Sequence, residues 1–427
     1  MAYELRREDL EPLLLGAAFF GSGGGGTIES ARHLAAHFVA GDYYPTDTVK
    51  VVSVDEATEG AAVMVAYLGA PEAINSATYP LGPVTAVQNV QARLASQSTK
   101  LAYVMPPESG ALGFTVAALV AAKLGLAVID ADGAGRAVPS LPMLTFAAAE
   151  IDPRPAFLVS QGGLCVELNV TPRGGSEGAP THQRDVSAIV EQMMRPVVAD
   201  PEFGQFGGLA MWVMTPADIG RATPIRGTLT RALKLGRALQ SGEIGSARQM
   251  TAYLVERCGL TARAVSEPGE LVSAEVDTSG GFDVGKIRIQ AGQHTYTVMY
   301  QNESLLAWDS TCAQPIVLAP DSVAYFVGGE GLAVFSNGDL VNGDGSLNPA
   351  IGKRPVTLIA WRAETELRKP GLILDSFMQL LNSLGYLGPY VPLESLQSAR
   401  KARPVILSSI PLLLPEQPFA GWLPASG

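Results

Sequence analysis

Two carboxylates stand two residues apart at the end of an apolar run, in the segment DADGAGRA that begins at Asp130. If the segment continues a β-strand, the side chains of Asp130 and Asp132 point to the same side. Neighbouring carboxylates raise the pKa of one member, which suits a general base, and together they can hold a metal ion. We expect this pair to be catalytic. The alternative is that one of them caps the following turn and pairs with Arg136.

Two further charged residues lie in loops that follow apolar runs. Glu108, in the segment PPESG, precedes a predicted helix and is the third catalytic candidate. Arg136 could bind a ligand carboxylate through two parallel hydrogen bonds. An internal ion pair with Asp130 or Asp132 explains Arg136 equally well.

A glycine-rich loop, FGSGGGGT, separates two predicted helices near the start of the chain. Glycine is costly where order is needed, so the run indicates either a flexible linker or a backbone that passes very close to a ligand. At a helix start, such a loop offers backbone N–H groups to an anion or a polarised oxygen. The loop lacks the lysine of a P-loop, so no nucleotide is expected. The ligand-binding candidates are Ser22, Gly23, Gly24, Gly25, Gly26 and Thr27.

Four residues are weak candidates for a divalent transition metal such as zinc. His33 and His37 stand four apart on one predicted helix, which is ligand spacing, although an ordinary amphipathic surface is the favoured interpretation. His182 and Cys165 are candidates as single ligands. For Cys165 the favoured interpretation is a small buried apolar residue.

The elements around these loops predict two domains, over residues 1–262 and 263–427. In the first, continuous apolar strands alternate with helices, which is typical of a three-layer α/β/α domain with a largely parallel sheet. Ligands bind such sheets beyond the carboxyl ends of the strands, where the candidate loops lie. From about Thr261, short strands separated by glycine, proline and asparagine predict a second, β-barrel-like domain, followed by a C-terminal helix and tail.

Composition narrows the class of protein. The chain has 427 residues, 47% of them hydrophobic and 17% charged, with a net charge of -11. No basic face can be traced, so nucleic acid is not an expected partner. The N-terminus lacks a signal-peptide pattern and no apolar stretch reaches about 18 residues, so no membrane is expected. Three widely spaced cysteines form no disulfide framework, which favours the cytoplasm.

Several motifs, in matching order, resemble one family over nearly the whole chain. They are GSGGGGT, LGAP from Leu68, DADGAGRAVPSLPM, RGTLTRALKLGRA from Arg226, YQNESLLAW from Tyr300 and the closing YLGPYVPLESL. The family is that of the S-methyl thiohydantoin desulfurases, formerly a domain of unknown function encoded near hydantoinase and oxoprolinase genes. The resemblance implies an α/β domain joined to a β-barrel domain. It also implies hydrolysis of an S-methyl thiohydantoin to a hydantoin and methanethiol.

On this hypothesis the substrate is a small cyclic amide or thioimidate. Asp130 and Asp132, with Glu108, would activate water directly or through a metal. The glycine loop would hold the anionic or carbonyl end of the ligand, and Arg136 would bind its carboxylate. A homo-oligomer and a hydantoinase-type partner are also possible.

The alternative is a non-catalytic ligand-binding or accessory subunit of a hydantoinase or oxoprolinase system. It rests on two departures from the family pattern, both in candidate site loops. Thr27 stands where relatives often have an aspartate, and residues 108–113 read ESGALG where relatives often read EIGGVN.

Overall fold

A computed structural model of the chain describes residues 2–69, 74, 77–96, 99–170, 183–279, 282–342 and 345–399. The strands are β1 (Tyr3–Arg6), β2 (Thr48–Val52), β3 (Ala61–Gly69), β4 (Leu101–Met105), β5 (Ala127–Ile129), β6 (Ala131–Asp132), β7 (Ala156–Ser160), β8 (Cys165–Leu168), β9 (Phe206–Met214), β10 (Ile225–Arg226), β11 (Ala262–Ala264), β12 (Glu270–Ser279), β13 (Phe282–Ala291), β14 (His294–Gln301), β15 (Glu303–Asp309), β16 (Val317–Leu318), β17 (Ser322–Val327), β18 (Val334–Phe335) and β19 (Val356–Trp361). The helices are α1 (Arg7–Phe20), α2 (Ile28–Ala36), α3 (Leu81–Ala95), α4 (Ala111–Leu124), α5 (Thr145–Ala148), α6 (Gln183–Ala199), α7 (Pro216–Ala222), α8 (Thr228–Gln240), α9 (Ala247–Glu256), α10 (Thr365–Arg368), α11 (Leu372–Ser383) and α12 (Leu393–Ala399). Within the described residues, no helix combines the length and apolar character needed to cross a membrane.

An eight-stranded mixed sheet organises the first half of the chain, in the order β1-β2-β5-β4-β3-β9-β7-β8. Its core strands β2, β5, β4 and β3 are parallel. The remaining neighbours pair antiparallel, so the expected largely parallel sheet is parallel only in its core. A continuous apolar run such as β3 indicates a strand that is buried on both faces. It does not indicate whether the neighbouring strand pairs parallel or antiparallel.

Two antiparallel sheets follow from β11 onward, in the orders β11-β19-β17-β18 and β12-β13-β14-β15-β16. Their side chains share one hydrophobic core, with Ile287 and Val298 from one sheet and Val323 and Leu358 from the other. Within the described residues these sheets do not join into a closed barrel, contrary to the barrel expectation. The strand pattern identifies antiparallel pairing, whereas closure depends on register and tilt, which the pattern does not contain. The domain boundary at 262/263 stays a prediction.

Helix α1 packs against α8 with the two backbones in close contact, and it ends at the glycine-rich loop. A Cβ added at Gly16 would overlap the carbonyl oxygen of Ala232, and one at Gly236 would overlap that of Pro12. At the end of α1, Phe19 stacks on Trp361 of β19, with ring centroids 5.1 Å apart. The loop that begins at Gly21 is thereby placed between the mixed sheet and the antiparallel strands.

Candidate functional site

A cavity of about 180 Å³ lies at the carboxyl ends of β3 and β4, beneath the glycine-rich loop. Its floor is apolar, with Met64 and Leu68 from β3 and Leu209 from β9. The volume is below the roughly 300–1,000 Å³ typical of drug-sized ligands, which favours a small molecule. The polar and glycine residues that line it are Gly23, Gly24, Gly25, Gly26, Thr27, Gly69, Glu108, Gly113, Ser140, Glu191, Arg195, Asp283, Asn302, Glu303, Ser336 and Gly338.

The glycines of the loop are required by close contact with neighbouring groups. A Cβ at Gly24 would overlap the carboxyl group of Glu303, and one at Gly25 would overlap the backbone of Gly110. Gly25 has a φ of +74°, in the left-handed region that favours glycine. The loop is therefore an ordered wall of the cavity, pressed against a carboxyl group.

Ser22 and Thr27, at the two ends of the loop, hold it in place. The Ser22 hydroxyl exchanges hydrogen bonds with the backbone of Val323, at 3.1 and 3.0 Å. Thr27 caps α2 by accepting the N–H of Ser30. The N–H of Ile28 donates to the carboxylate of Asp339 at 3.0 Å. Asp339 thus supplies a carboxylate at this helix start, next to Thr27.

Glu303, which is buried, and Glu108, which is half-buried, form a pair of carboxyl groups in the cavity wall. Burial, and the charge of Glu303, raise the pKa of Glu108 well above its usual range. Burial likewise raises the pKa of Glu303, to about 8, although Arg136 and the N–H of Gly25 favour its ionised form. Like charges in a dry site resist double ionisation, so the pair keeps a proton at neutral pH.

The two carboxyl groups differ in their hydrogen bonds. Glu108 Oε2 accepts the N–H of Val138 at 2.7 Å. Glu303 is 3% exposed, and its Oε2 has no hydrogen-bond partner among the residues that the structure describes. A buried polar atom without a partner is costly, and such atoms mark sites where a ligand, water or proton is exchanged.

Arg136 is buried beside this pair but donates its hydrogen bonds to backbone carbonyls. Its Nη1 donates to Pro320 and Asp321, both at 3.0 Å, and its Nη2 donates to Ser304 at 2.8 Å. Burial lowers its pKa to about 10, so it stays charged at neutral pH. The expected role of binding a ligand carboxylate stays a prediction. The structure shows Arg136 as a buried positive charge that joins two parts of the chain.

Asp130 and Asp132 lie outside the cavity lining and are held by other groups. The Asp130 carboxylate accepts the N–H groups of Leu229 and Thr230 at the start of α8. Asp132 is fully buried; it accepts the Ser109 hydroxyl at 2.7 Å and two backbone N–H groups of its own turn. Asp132 therefore has the turn-capping contacts of the alternative interpretation, whereas Asp130 caps α8, and Arg136 donates to backbone carbonyls rather than to either carboxylate. A catalytic role for the two aspartates stays a prediction.

Glu191 and Arg195, one turn apart on α6, add two further charged groups to the cavity lining. The Arg195 guanidinium forms an ion pair with Glu191, and its Nη2 donates to the carbonyl of Pro139 at 3.1 Å. Glu191 Oε2 accepts the N–H of Leu141 at 2.9 Å. The positive charge of Arg195 also favours the ionised form of Glu303.

The metal candidates are scattered. No group of three or more His, Cys, Asp or Glu side chains within the described residues could hold a metal ion. His33 and His37 face each other with ring centroids 5.7 Å apart, and His182 lies outside the described residues. Cys165 is exposed on β8, contrary to the expectation that it is buried, because β8 is the edge strand of the large sheet. The metal expectation stays a prediction.

Sequence reasoning missed Glu303, Glu191, Arg195 and Asn302 as site residues. Glu303 and Asn302 lie inside the motif YQNESLLAW, which marks the family, so the motif itself was a usable signal. Glu191 and Arg195 form an i, i+4 pair of opposite charge, which is typical of an ordinary exposed helix face. Only the tertiary structure shows that Glu191 is buried and Arg195 half-buried in the cavity wall.

Together, these features define a mixed α/β protein with a small-molecule cavity built around paired carboxyl groups. The family model described as the S-Me-THD-like N-terminal domain matches residues 8–170, and that of the S-Me-THD-like C-terminal domain matches residues 184–374. The chain belongs to the S-Me-THD-like family, which confirms the resemblance to S-methyl thiohydantoin desulfurases. A crystal structure of a protein from Chromobacterium violaceum is 57% identical, with a TM-score of 0.85 over 92% of this chain and 100% of that one. No curated protein matches the chain.

Proposed function

We propose that this protein hydrolyses a small five-membered cyclic thioimidate of the S-methyl thiohydantoin class and releases methanethiol. Membership of the family supports a hydantoin-related role. The observation that carries the proposal is the Glu108–Glu303 pair in the wall of a cavity of small-molecule size, where burial raises the pKa of both carboxyl groups.

The pair supplies the acid and base that this reaction needs. The oxygen of water bonds to the ring carbon that carries sulfur, and one water proton passes through the pair to the ring nitrogen. The C–S bond then breaks with its electron pair on sulfur. The methanethiolate takes up the second water proton, and the ring carbon becomes a carbonyl.

Glu303 is the member that exchanges protons with the substrate, because its Oε2 has no other partner among the described residues. Glu108 is oriented by the N–H of Val138. When Glu303 gives up its proton, Glu108 is the protonated member of the pair, and when Glu303 is protonated, Glu108 carries the charge. Arg136, buried nearby, limits the build-up of negative charge, and the apolar floor accommodates the methylthio group.

Glu303→Gln and Glu108→Gln test the assignment with S-methyl thiohydantoin as substrate and methanethiol as the measured product. Each change keeps the shape of the side chain and removes its proton exchange, so we expect kcat/KM to fall by about 100-fold or more. Glu256→Gln, on the exposed face of α9, is the matched control and should retain full activity.

Two outcomes would redirect the proposal. If Asp132→Asn abolished turnover while both glutamate variants remained active, the catalytic groups would be those expected from the DADG motif. If the unmodified protein turned over neither S-methyl thiohydantoin nor hydantoin, even with metal ions added, the accessory-subunit alternative would replace catalysis.

A further inference from the structure

Asn302 lines the cavity but takes no part in the acid–base step proposed above. It lies in the turn between β14 and β15, directly before Glu303, which lines the same cavity. Its backbone has a φ of +55°, in the left-handed region that asparagine tolerates better than most residues with a side chain. In a regular strand, two consecutive side chains would point to opposite sides. The left-handed turn instead lets both residues line one cavity, and such strained positions are often functional.

The backbone and the amide oxygen of Asn302 are held by hydrogen bonds. The N–H of Asp283 donates to Asn302 Oδ1 at 2.9 Å, and the N–H of Asn302 donates to the carbonyl of Asp283 at 2.7 Å. Asn337 Nδ2 donates to the carbonyl of Asn302 at 2.9 Å. The N–H of Asn337 donates in turn to the carbonyl of Gly23 at 2.7 Å. Asn302 is therefore fixed relative to the glycine loop on the other side of the cavity.

The amide nitrogen is the part of Asn302 that remains for a ligand. Among the described residues, none accepts a hydrogen bond from Asn302 Nδ2. The amide cannot be turned over, because that would place its NH₂ group against the N–H of Asp283. Asn302 thus brings two neutral N–H donors, in a set orientation, to a half-buried position in the cavity wall.

A ring carbonyl is the group that such a donor would serve in the proposed reaction. In an S-methyl thiohydantoin, the ring nitrogen next to the carbon that bears sulfur is also bonded to a carbonyl carbon. When water adds to the carbon that bears sulfur, negative charge builds on this nitrogen and, by conjugation, on the carbonyl oxygen. A hydrogen bond to that oxygen becomes stronger as the charge develops, so it stabilises the transition state more than the bound substrate.

We propose that Asn302 is a substrate-binding residue whose Nδ2 donates to this ring carbonyl oxygen, and that it selects rings that carry the carbonyl. The contribution to turnover rests on the proposed function, whereas the preference for the carbonyl can be measured by binding alone.

Binding of hydantoin and of imidazolidin-2-one tests the preference by calorimetry. Imidazolidin-2-one is the same five-membered ring without the carbonyl group in question. We expect the unmodified protein to bind hydantoin about three- to tenfold more tightly, which is the range for one neutral hydrogen bond. Release of methanethiol from S-methyl thiohydantoin reports turnover separately.

Asn302→Gly tests the residue, because glycine keeps the left-handed backbone and removes the amide. The preference for hydantoin should disappear, and kcat/KM for S-methyl thiohydantoin should fall by about 10- to 100-fold, mainly through kcat. Asn302→Asp, which keeps the acceptor for Asp283 and replaces the donor, should also lose the preference. Thr223→Gly is the matched control: Thr223 is exposed, has a φ of +44° and lies outside the cavity lining, so both measurements should stay unchanged.

The ratio of the two affinities separates a contact with the ligand from a merely structural role. Equal weakening of both rings in Asn302→Gly, or equal affinities in the unmodified protein, would overturn the inference and leave the hydrolysis intact. A preference for hydantoin that both Asn302 variants lose, in a protein that releases no methanethiol, would support the contact and overturn the hydrolysis. Failure of both rings to bind would overturn the inference, and methanethiol release would then decide the hydrolysis by itself.

Discussion

At the scale of single residues, the site depends on carboxyl groups placed where water cannot stabilise their charge. Glu303 lies against the glycine loop with 3% of its surface exposed, so its protonated form is favoured in the folded protein. Glu108 shares this environment, and each charge opposes the other. This arrangement suits acid–base chemistry near pH 7. It also makes the folded protein less stable as the pH rises.

The stability of the protein should therefore fall with rising pH in a window set by Glu303. Its pKa is raised from 4.5 to about 8, so its contribution is fully present below pH 4.5 and is lost as the pH rises through 8. One such group gives a slope of up to about 1.4 kcal/mol per pH unit between these values. Glu303→Gln should flatten the slope of unfolding free energy, measured by urea denaturation at pH 5 to 8. If the pH slope of the unfolding free energy of Glu303→Gln equalled that of the unmodified protein and of Glu256→Gln, the raised pKa of Glu303 would be contradicted.

At the scale of elements, the crossing of α1 and α8 determines where the glycine loop begins. The two backbones touch at Gly16 and Gly236, and each helix would have to move to admit one methyl group. Because α1 also stacks Phe19 on Trp361, a shift of α1 would move the loop relative to Glu303. The crossing is thus a structural condition for the cavity.

Gly236→Ala should destabilise the protein by about 1–3 kcal/mol or more, because the added Cβ meets the rigid backbone of Pro12. The measurement is urea denaturation, combined with methanethiol release to detect displacement of the loop. Gly220→Ala in α7 is the matched control, since open space surrounds that position. A glycine in an open helix position costs about 0.5–1 kcal/mol relative to alanine, so the control should be neutral or stabilising. Equal effects of the two substitutions would rule out a tight crossing.

At the scale of the whole molecule, Arg136 ties the mixed sheet to the antiparallel strands. It follows β6 in the first half of the chain, and its guanidinium donates to carbonyls of Ser304, Pro320 and Asp321 in the second. Three carbonyl oxygens and one buried charge thus depend on a single planar group. Lysine has no comparable fork of donors.

Arg136→Lys should lower the free energy of unfolding by about 2 kcal/mol or more, because buried carbonyls lose their partners. Arg248→Lys, at an exposed position on α9, is the matched control and should stay within about 0.5 kcal/mol of the unmodified protein. Chemical denaturation of the three proteins measures the difference. A stability equal to that of the control would show that these hydrogen bonds do not hold the two parts together.

The capping contacts show why the site could be predicted only in part. The sequence places Asp130 and Asp132 in a loop beyond a buried strand, where ligands commonly bind. The structure uses both carboxylates to satisfy N–H or hydroxyl groups, including those at the start of α8. Local spacing cannot distinguish a carboxylate that faces a cavity from one that caps a distant helix, because the partner is far away in the chain.

The sequence by itself determined the family, the alternation of apolar strands and helices, and the loops that gather at one edge of the sheet. These follow from local patterns: apolar runs, helix ends and a glycine run, for which the sequence left both a linker and close backbone contact open. Only the tertiary structure decided that Glu303 lies near Glu108 and that Arg136 donates to backbone carbonyls. It also decided that the described residues of the second half form two sheets that do not close into a barrel. These outcomes depend on which segments, distant in the sequence, come into contact and which charged groups are removed from water. Burial of this kind is a property of the folded chain.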